Sequence, residues 1–194
     1  SMSVATAGAS GYAHGNRWQY HPRSDRHSKI VCWAIFFDLM TRNSLISRHV
    51  TAERVSFGIN HKMCDYTNAR QKDLDLVICR RVPSTRVAGV GNFREMVSAY
   101  TIELSDEERA SLARLPDIPL TGVQTALVAL EARAALTEFG KARPRLYDEL
   151  NSSHLTIHGD TDSSIAAGLA MVNFADSFVS PIRNPWSLEE REPV

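Results

Sequence analysis

The sequence predicts a single α/β domain in which a β-sheet is covered by helices. Residues 54–61 alternate apolar and polar side chains, the period-two pattern of a half-buried strand. Residues 73–79 are almost wholly apolar after their acids, as expected of a strand buried on both faces. At 194 residues the chain can bury one sizeable core. We therefore expect one domain over residues 23–180, between a flexible N-terminal arm at 1–22 and a C-terminal tail at 181–194.

The N-terminal half begins with a helix that precedes the two strands. Ser24 or Asp25 can cap its start. Its apolar side chains recur at roughly helical spacing and predict a largely buried helix: Ile30, Trp33, Ala34, Phe37 and Leu45. A polar turn over residues 65–71 then joins the strands. The second strand therefore places Asp75 inside the sheet.

The middle of the chain predicts a loop followed by two helices. Residues 83–91 have the composition of a loop, and residues 93–100 suit a short helix. Ser105 and Glu108 have the spacing of a capping box. This box predicts a helix that starts there and runs to about Leu115.

The C-terminal half predicts another buried strand and a long helix. The strand covers residues 123–133, which are rich in Val, Leu and Ala. Pro144 is expected to open the helix at its first position, and the helix ends at residues 159–160. Residues 165–172 are apolar and short, and they fit either a final strand or a buried helix.

Composition limits the partners and the compartment. The chain has 22 basic and 22 acidic residues, so its overall field does not attract nucleic acid and any DNA contact must be local. No apolar run approaches the length of a membrane span, and no membrane partner is expected. The cysteines lack C-x-x-C spacing, which favours reduced thiols and a cytoplasmic location: Cys32, Cys64 and Cys79.

Two acids within apolar strands are the candidate catalytic centre. A buried, ionised carboxylate is costly without a partner, and Asp75 and Glu131 both occupy such positions. Strand alternation puts Glu131 and Arg133 on one face, with the main-chain carbonyl of Ala132 between them. If Asp75 lies on a neighbouring strand, the two carboxylates and this carbonyl supply the hard oxygen ligands that Mg²⁺ prefers. Mn²⁺ is the expected substitute.

This pattern resembles the PD-(D/E)XK nuclease superfamily, to which many restriction endonucleases belong. The residues that carry the resemblance are Leu74-Asp75 and Glu131-Ala132-Arg133. Two longer strings look like those of restriction-endonuclease-like proteins from bacteria and phages: Lys72–Ile78 and Ala142–Leu150. The similarity covers roughly residues 30–175.

The resemblance implies a mixed central β-sheet flanked by helices, that is, a restriction-endonuclease-like core. It favours a strand at residues 165–172. It also implies a magnesium-dependent endonuclease that cuts DNA as a homodimer, with Asp75 and Glu131 as metal ligands. Arg133 would stabilise charge on the phosphate.

The sequence departs from the family pattern in three ways. Leu74 replaces the family's proline, and Arg133 replaces its usual lysine. Arginine keeps the charge but cannot readily release a proton, so general-base catalysis is not expected of it. Lys72 or Lys141 could supply a lysine instead. The long separation of the two acids implies an insertion around residues 81–120.

Other polar residues are candidates for support. A third acid often lies on or just after the first helix in this family, and Asp38 and Glu53 are the candidates. Arg143 and Arg145 at the start of the long helix could contact DNA phosphates, although a solvated basic turn fits equally well.

Structural explanations compete with each of these sites. Asp75 could simply accept hydrogen bonds at a strand edge, while Glu131 and Arg133 form an ion pair without chemistry. His154 and His158 have a spacing that can bind zinc, but the glutamate of a metalloprotease motif is missing between them.

The first functional hypothesis is therefore a Mg²⁺-dependent endonuclease. A second is a nuclease-fold module that binds nucleic acid or a protein partner without catalysis, because the lysine position is arginine. A third, a small enzyme of another class, is disfavoured because the chain has no glycine-rich phosphate loop and no G-x-S-x-G elbow.

Overall fold

The computed structural model describes residue 15 and residues 26–65, 68–81, 92–120, 125–135, 139–160 and 163–174. Within these residues the elements are, in chain order, α1 (Arg26–Arg42), α2 (Ser44–Thr51), β1 (Val55–Asp65), β2 (Arg70–Arg80), α3 (Glu95–Ala99), α4 (Asp106–Arg114), β3 (Ala126–Ala135), α5 (Phe139–Asp160) and β4 (Ile165–Val172).

The four strands form one sheet in the order β1-β2-β3-β4. β1 and β2 are antiparallel, as are β2 and β3, whereas β3 and β4 are parallel. A parallel pair needs a crossover, and α5 provides it. The fold is therefore α/β with a mixed sheet flanked by helices, which confirms the predicted class.

α1 covers one face of the sheet with aromatic side chains. Trp33 stacks on Phe37 and Phe93, with ring centroids 5.0 and 4.9 Å apart. The Trp33 indole also donates to the Phe93 carbonyl at 2.9 Å. Phe36 contacts Phe57 of β1 and Phe93, both at 5.4 Å. The segment between β2 and β3 thus closes the core against α1.

α5 covers the other face over a smaller core. Alternate residues of β2 enter the two cores: Leu76 and Ile78 face the α1 side, and Val77 and Cys79 face the α5 side. Ile157 of α5 is buried in this second core. β2 is therefore buried on both faces, as its apolar run predicted.

The pairing of β2 is irregular around Asp75. On one side, β1 pairs with β2 up to Ile59↔Leu76 and again from His61↔Leu74, and Asn60 between them has a left-handed φ of 50°. On the other side, the β2–β3 pairs end at Leu76↔Leu130. Asp75 and Glu131 lie one position beyond that last pair.

Most predicted elements are confirmed, with two corrections. The single N-terminal helix is wrong, because it is broken at Asn43, whose side chain caps α2 by accepting the N–H groups of Leu45 and Ile46. Pro144 does not open α5, which begins at Phe139 and holds Pro144 inside it. Proline has no N–H, so one helical hydrogen bond is lost there.

The capping box at Ser105 is present, and residues 165–172 form a strand. The proposed caps at Ser24 and Asp25 and the loop at 83–91 lie outside the described residues, as does the tail at 181–194. So does the arm at 1–22, apart from Gly15.

Three further findings concern thiols and membrane spans. None of the three cysteines forms a disulfide, and Cys32 and Cys79 are buried. Burial, and after it the charge of Asp75, raises the pKa of the Cys32 thiol. Among the described residues, no single helix is long and apolar enough to cross a membrane. α1 and α2 reach that length and hydropathy only when they are counted together, and the two helices are bent by 94° at the break between them.

Candidate functional site

Asp75 lies where β2 separates from β3, and its carboxylate bridges three elements. One oxygen accepts the main-chain N–H of Ala132 in β3 at 2.8 Å. The other lies 3.5 Å from the ammonium group of Lys29 in α1. Because the strands no longer pair here, the Asp75 side chain takes a hydrogen bond that a backbone carbonyl would accept in a regular ladder.

Lys29 is a member of the site that the sequence interpretation missed. It is fully buried (0% exposed), and its ammonium group also donates to the side-chain oxygen of Asn60. A signal was present: Lys29 falls on the apolar stripe of α1, four residues before Trp33 and seven before Phe36. A lysine at a core position of a helix requires a buried partner.

Glu131 is the most deeply buried acid of the site, with 1% exposure. Neither of its carboxylate oxygens has a hydrogen-bond donor among the described residues. Its carboxylate makes an ionic contact with the guanidinium of Arg133, and that contact lacks hydrogen-bond geometry. Burial raises the pKa of Glu131 to about 7; Arg133 opposes this rise and Asp75 adds to it.

Arg133 lies between two acids. Its terminal nitrogen contacts Glu131, and its Nε lies 2.8 Å from a carboxylate oxygen of Glu149 in α5. The second oxygen of Glu149 accepts a hydrogen bond from Arg145 at 2.8 Å. Charges of alternating sign thus run from buried Glu131 to Arg145, whose side chain is 79% exposed.

Glu149 is a second member of the site that the sequence interpretation missed. Partial burial acts to raise its pKa, but the hydrogen bond from Arg145 and the charge of Arg133 outweigh this effect and lower it. The spacing offered a signal, because Glu149 lies three residues after Leu146 and eight before Ile157, on the inner face of α5.

Lys72 joins the same group from β2. Its ammonium donates to the main-chain carbonyl of Glu149 at 2.6 Å. Burial lowers the pKa of Lys72, while the nearby charge of Glu131 opposes that change. Of the two lysines expected to replace the family's lysine, Lys72 therefore lies in the site. Lys141 is exposed near the start of α5.

The structure places Asp75 of β2 next to the segment of β3 that contains Glu131, Ala132 and Arg133. The two acids stand on adjacent strands, and Ala132 links them through its hydrogen bond to Asp75. No group of three or more His, Cys, Asp or Glu side chains that could hold a metal occurs within the described part of the chain. A shared ion would therefore rely on two carboxylates, main-chain oxygen and water.

Neither candidate for a third acid joins this pair. Asp38 lies nine residues after Lys29 on α1, which places it on the opposite side of the helix and roughly 13 Å along it. It is paired with Arg42 at 2.6 Å in solvent. Glu53 pairs with Arg81 at 3.0 Å, just beyond the end of β2 and six residues, roughly 20 Å, from Asp75.

The other candidates lie on α5. Arg143 and Arg145 are both exposed near its start, and Arg145 is held by Glu149. His154 and His158 contact each other with ring centroids 4.5 Å apart, but no third ligand accompanies them among the described residues.

Comparisons of the chain with protein-family models, with curated proteins and with solved structures found no match. The function is therefore inferred from the geometry of the site itself.

Proposed function

We propose that this protein is a magnesium-dependent endonuclease that hydrolyses phosphodiester bonds in DNA, on a restriction-endonuclease-like core. One observation carries the proposal: Glu131 is 1% exposed, both of its carboxylate oxygens lack a hydrogen-bond donor among the described residues, and the charge of Asp75 on the neighbouring strand acts on it. A buried carboxylate in this condition is costly, and a divalent cation would remove the cost.

The arrangement of the strands supports the same proposal. The resemblance to PD-(D/E)XK nucleases implies a mixed sheet flanked by helices, with the first acid and the Glu-x-basic group on neighbouring strands. β2 carries Asp75, β3 carries Glu131 and Arg133, and the two strands are adjacent in a mixed sheet.

The chemistry of the donors fits Mg²⁺. Magnesium is commonly held by one or two carboxylates and keeps several waters, so two acids suffice. Asp75 and Glu131 would hold the ion, together with the main-chain carbonyl of Ala132. When bound, the ion supplies Lewis acidity and lowers the pKa of water for attack on phosphorus.

The residues of the chain have distinct parts in this hydrolysis. Water adds to phosphorus, the bond to one sugar oxygen breaks, and that oxygen leaves with a proton. Arg133 remains a cation throughout and is 36% exposed, so it can stabilise the negative charge that develops on the phosphate. Arg143 and Lys141 are exposed cations on α5 that can hold the DNA backbone through its phosphates. The resemblance implies that the chain cuts both strands as a homodimer.

A second candidate function is a nuclease-fold module that binds nucleic acid or protein without cutting. The pairing of Asp75 with Lys29 favours it, because a buried ammonium group already neutralises this acid. Arg133 likewise lies on Glu131. In this alternative both acids serve the fold alone.

Cleavage of supercoiled plasmid in Mg²⁺ or Mn²⁺ separates the two candidates. We expect the wild-type chain to nick or linearise the plasmid, and Glu131→Gln and Asp75→Asn to abolish this. Asp73→Asn is the matched control, because Asp73 is an exposed acid on the same strand. DNA binding without cleavage in either metal would select the module. Cleavage that survives Glu131→Gln would reject the proposed site.

A further inference from the structure

Glu149 contacts two cations, Arg133 and Lys72, whose charges act on the candidate metal ligand Glu131. One of its carboxylate oxygens is 2.8 Å from Nε of Arg133, and its main-chain carbonyl accepts the ammonium group of Lys72 at 2.6 Å. Ser153 of the same helix donates to that carbonyl at 3.0 Å. Glu149 is therefore fixed at the inner face of α5.

Arg133 has contacts with two carboxylates, and neither contact has hydrogen-bond geometry. Glu131 and Glu149 each have an oxygen against its guanidinium. Arg133 Nε is buried without a hydrogen bond among the described residues, and so are both oxygens of Glu131. A guanidinium in this position can move toward either acid with little loss of hydrogen bonding.

We propose that Arg133 and a divalent cation alternate at Glu131, and that Glu149 is the positioning residue that receives Arg133 when the cation binds. This inference rests on the proposed metal site and adds that Arg133 competes with the metal for Glu131. With Arg133 on Glu131, the acid is neutralised without a metal. With Arg133 on Glu149, the oxygens of Glu131 are open to a metal, and the guanidinium stays beside the site.

The arrangement predicts opposite effects of removing the charge of Glu149 and of removing Arg133. The apparent Kd of a ligand rises in inverse proportion to the fraction of molecules in the binding-competent state. Removing the charge of Glu149 leaves Arg133 on Glu131 and weakens metal binding. Removing Arg133 eliminates the competitor and strengthens it.

A simpler electrostatic explanation makes a different prediction. Glu149 is an anion near the site, and its charge alone would attract a divalent cation. In that case Glu149→Gln weakens metal binding whether or not Arg133 is present. In our proposal the effect of Glu149 depends on Arg133, so a double-mutant cycle distinguishes the two.

The test is calorimetric titration of the DNA-free full chain with Mn²⁺. We expect Glu149→Gln to raise the Kd at least about fivefold and Arg133→Gln to lower it at least about fivefold, the range of ordinary coupling between sites. In the Arg133→Gln background, Glu149→Gln should change the Kd by less than about twofold. Asp148→Asn, which removes an exposed acid from the same helix, is the matched control and should leave the Kd unchanged.

Thermal unfolding provides a second readout if a variant is only marginally stable. Mn²⁺ should raise the melting temperature of Arg133→Gln more than that of the wild type, because ligand stabilisation follows affinity. Glu149→Asp keeps the charge and should restore part of the affinity lost in Glu149→Gln.

The outcomes separate this inference from the proposed function. If Mn²⁺ binding is absent, or is the same in Glu131→Gln, the metal site is wrong and the inference fails with it. If Mn²⁺ binds at Glu131 but Glu149→Gln weakens it equally in both backgrounds, the metal site stands and the alternation of Arg133 is rejected.

Discussion

Lys29 and Asp75 show how single residues connect this site to the core. They come from α1 and β2, and their charged groups meet in the interior, where Lys29 is fully buried. Asn60, whose side chain accepts the ammonium group, has a left-handed backbone in the middle of β1. Such a conformation is uncommon for a residue other than glycine, and asparagine adopts it more readily than most.

Replacing Lys29 by methionine tests this burial. Methionine fills similar space but leaves the Asp75 carboxylate without its cation, and breaking one side of a buried pair costs about 3–5 kcal/mol. We expect Lys29→Met to lower the free energy of unfolding in urea by that order. Lys62→Met, at an exposed lysine of β1, should change it by less than about 0.5 kcal/mol. Equal effects of the two substitutions would mean that Lys29 is solvated.

Glu131 predicts a pH dependence of stability. Burial raises its folded pKa to about 7 from 4.5, so the folded state binds a proton more tightly than the unfolded state. Stability is therefore lost as pH rises between these values, by roughly 3 kcal/mol. Urea unfolding in EDTA at pH 5 and pH 8 measures this loss. Glu131→Gln should lack it, and parallel pH profiles for the two proteins would contradict a buried, titrating Glu131.

At the scale of elements, α5 is fixed by close contact at its end. A Cβ atom added to Gly159 would lie 2.3 Å from the Cγ of Asp65, at the end of β1. Asp65 cannot easily move, because it is buried and accepts both the N–H and the side-chain amide of Asn68. The absence of a side chain at Gly159 therefore allows α5 to approach β1.

We expect Gly159→Ala to lower the free energy of unfolding by about 1–3 kcal/mol, the usual cost of overpacking. Gly140→Ala in the same helix is the matched control, because no described atom lies within 4 Å of its added Cβ. Alanine there should leave stability unchanged or raise it by up to about 1 kcal/mol. Thermal unfolding compares the two variants, and an equal response would show that the α5–β1 contact is looser than described.

Local signals account for the elements that the sequence could predict. The capping box at Ser105 and the apolar run of β2 each lie within a few consecutive residues. The local sequence pattern is therefore enough to predict both elements. The break at Asn43 was missed because the apolar spacing continues across it to Leu45. Proline generally prefers the first position of a helix, but Pro144 lies inside α5 because this helix begins at Phe139.

At the scale of the whole molecule, the sequence predicted that Asp75 and Glu131 are buried acids, but it did not predict the residues that contact them. Asp75 and Glu131 could be named from sequence because a charged residue in an apolar strand is conspicuous. Lys29 reaches Asp75 only through the packing of α1 on the sheet, and Glu149 reaches Arg133 only through α5. Such contacts between distant segments leave only helical spacing as a signal in the sequence.

The proposed cofactor gives the folded chain a testable source of stability. A metal that binds only the native state adds stability with its concentration. The calorimetric and thermal measurements on Arg133 and Glu149 therefore report on the same assembly of β2, β3 and α5 that positions the acids.

The most direct test is a crystal structure of the wild-type chain grown with Mn²⁺, with the ion located by anomalous scattering. We predict one peak within roughly 2.5 Å of a carboxylate oxygen of both Asp75 and Glu131, with Arg133 moved onto Glu149. Saturating Mn²⁺ with no peak between the two acids, and with Arg133 still on Glu131 and Lys29 on Asp75, would contradict a shared metal site.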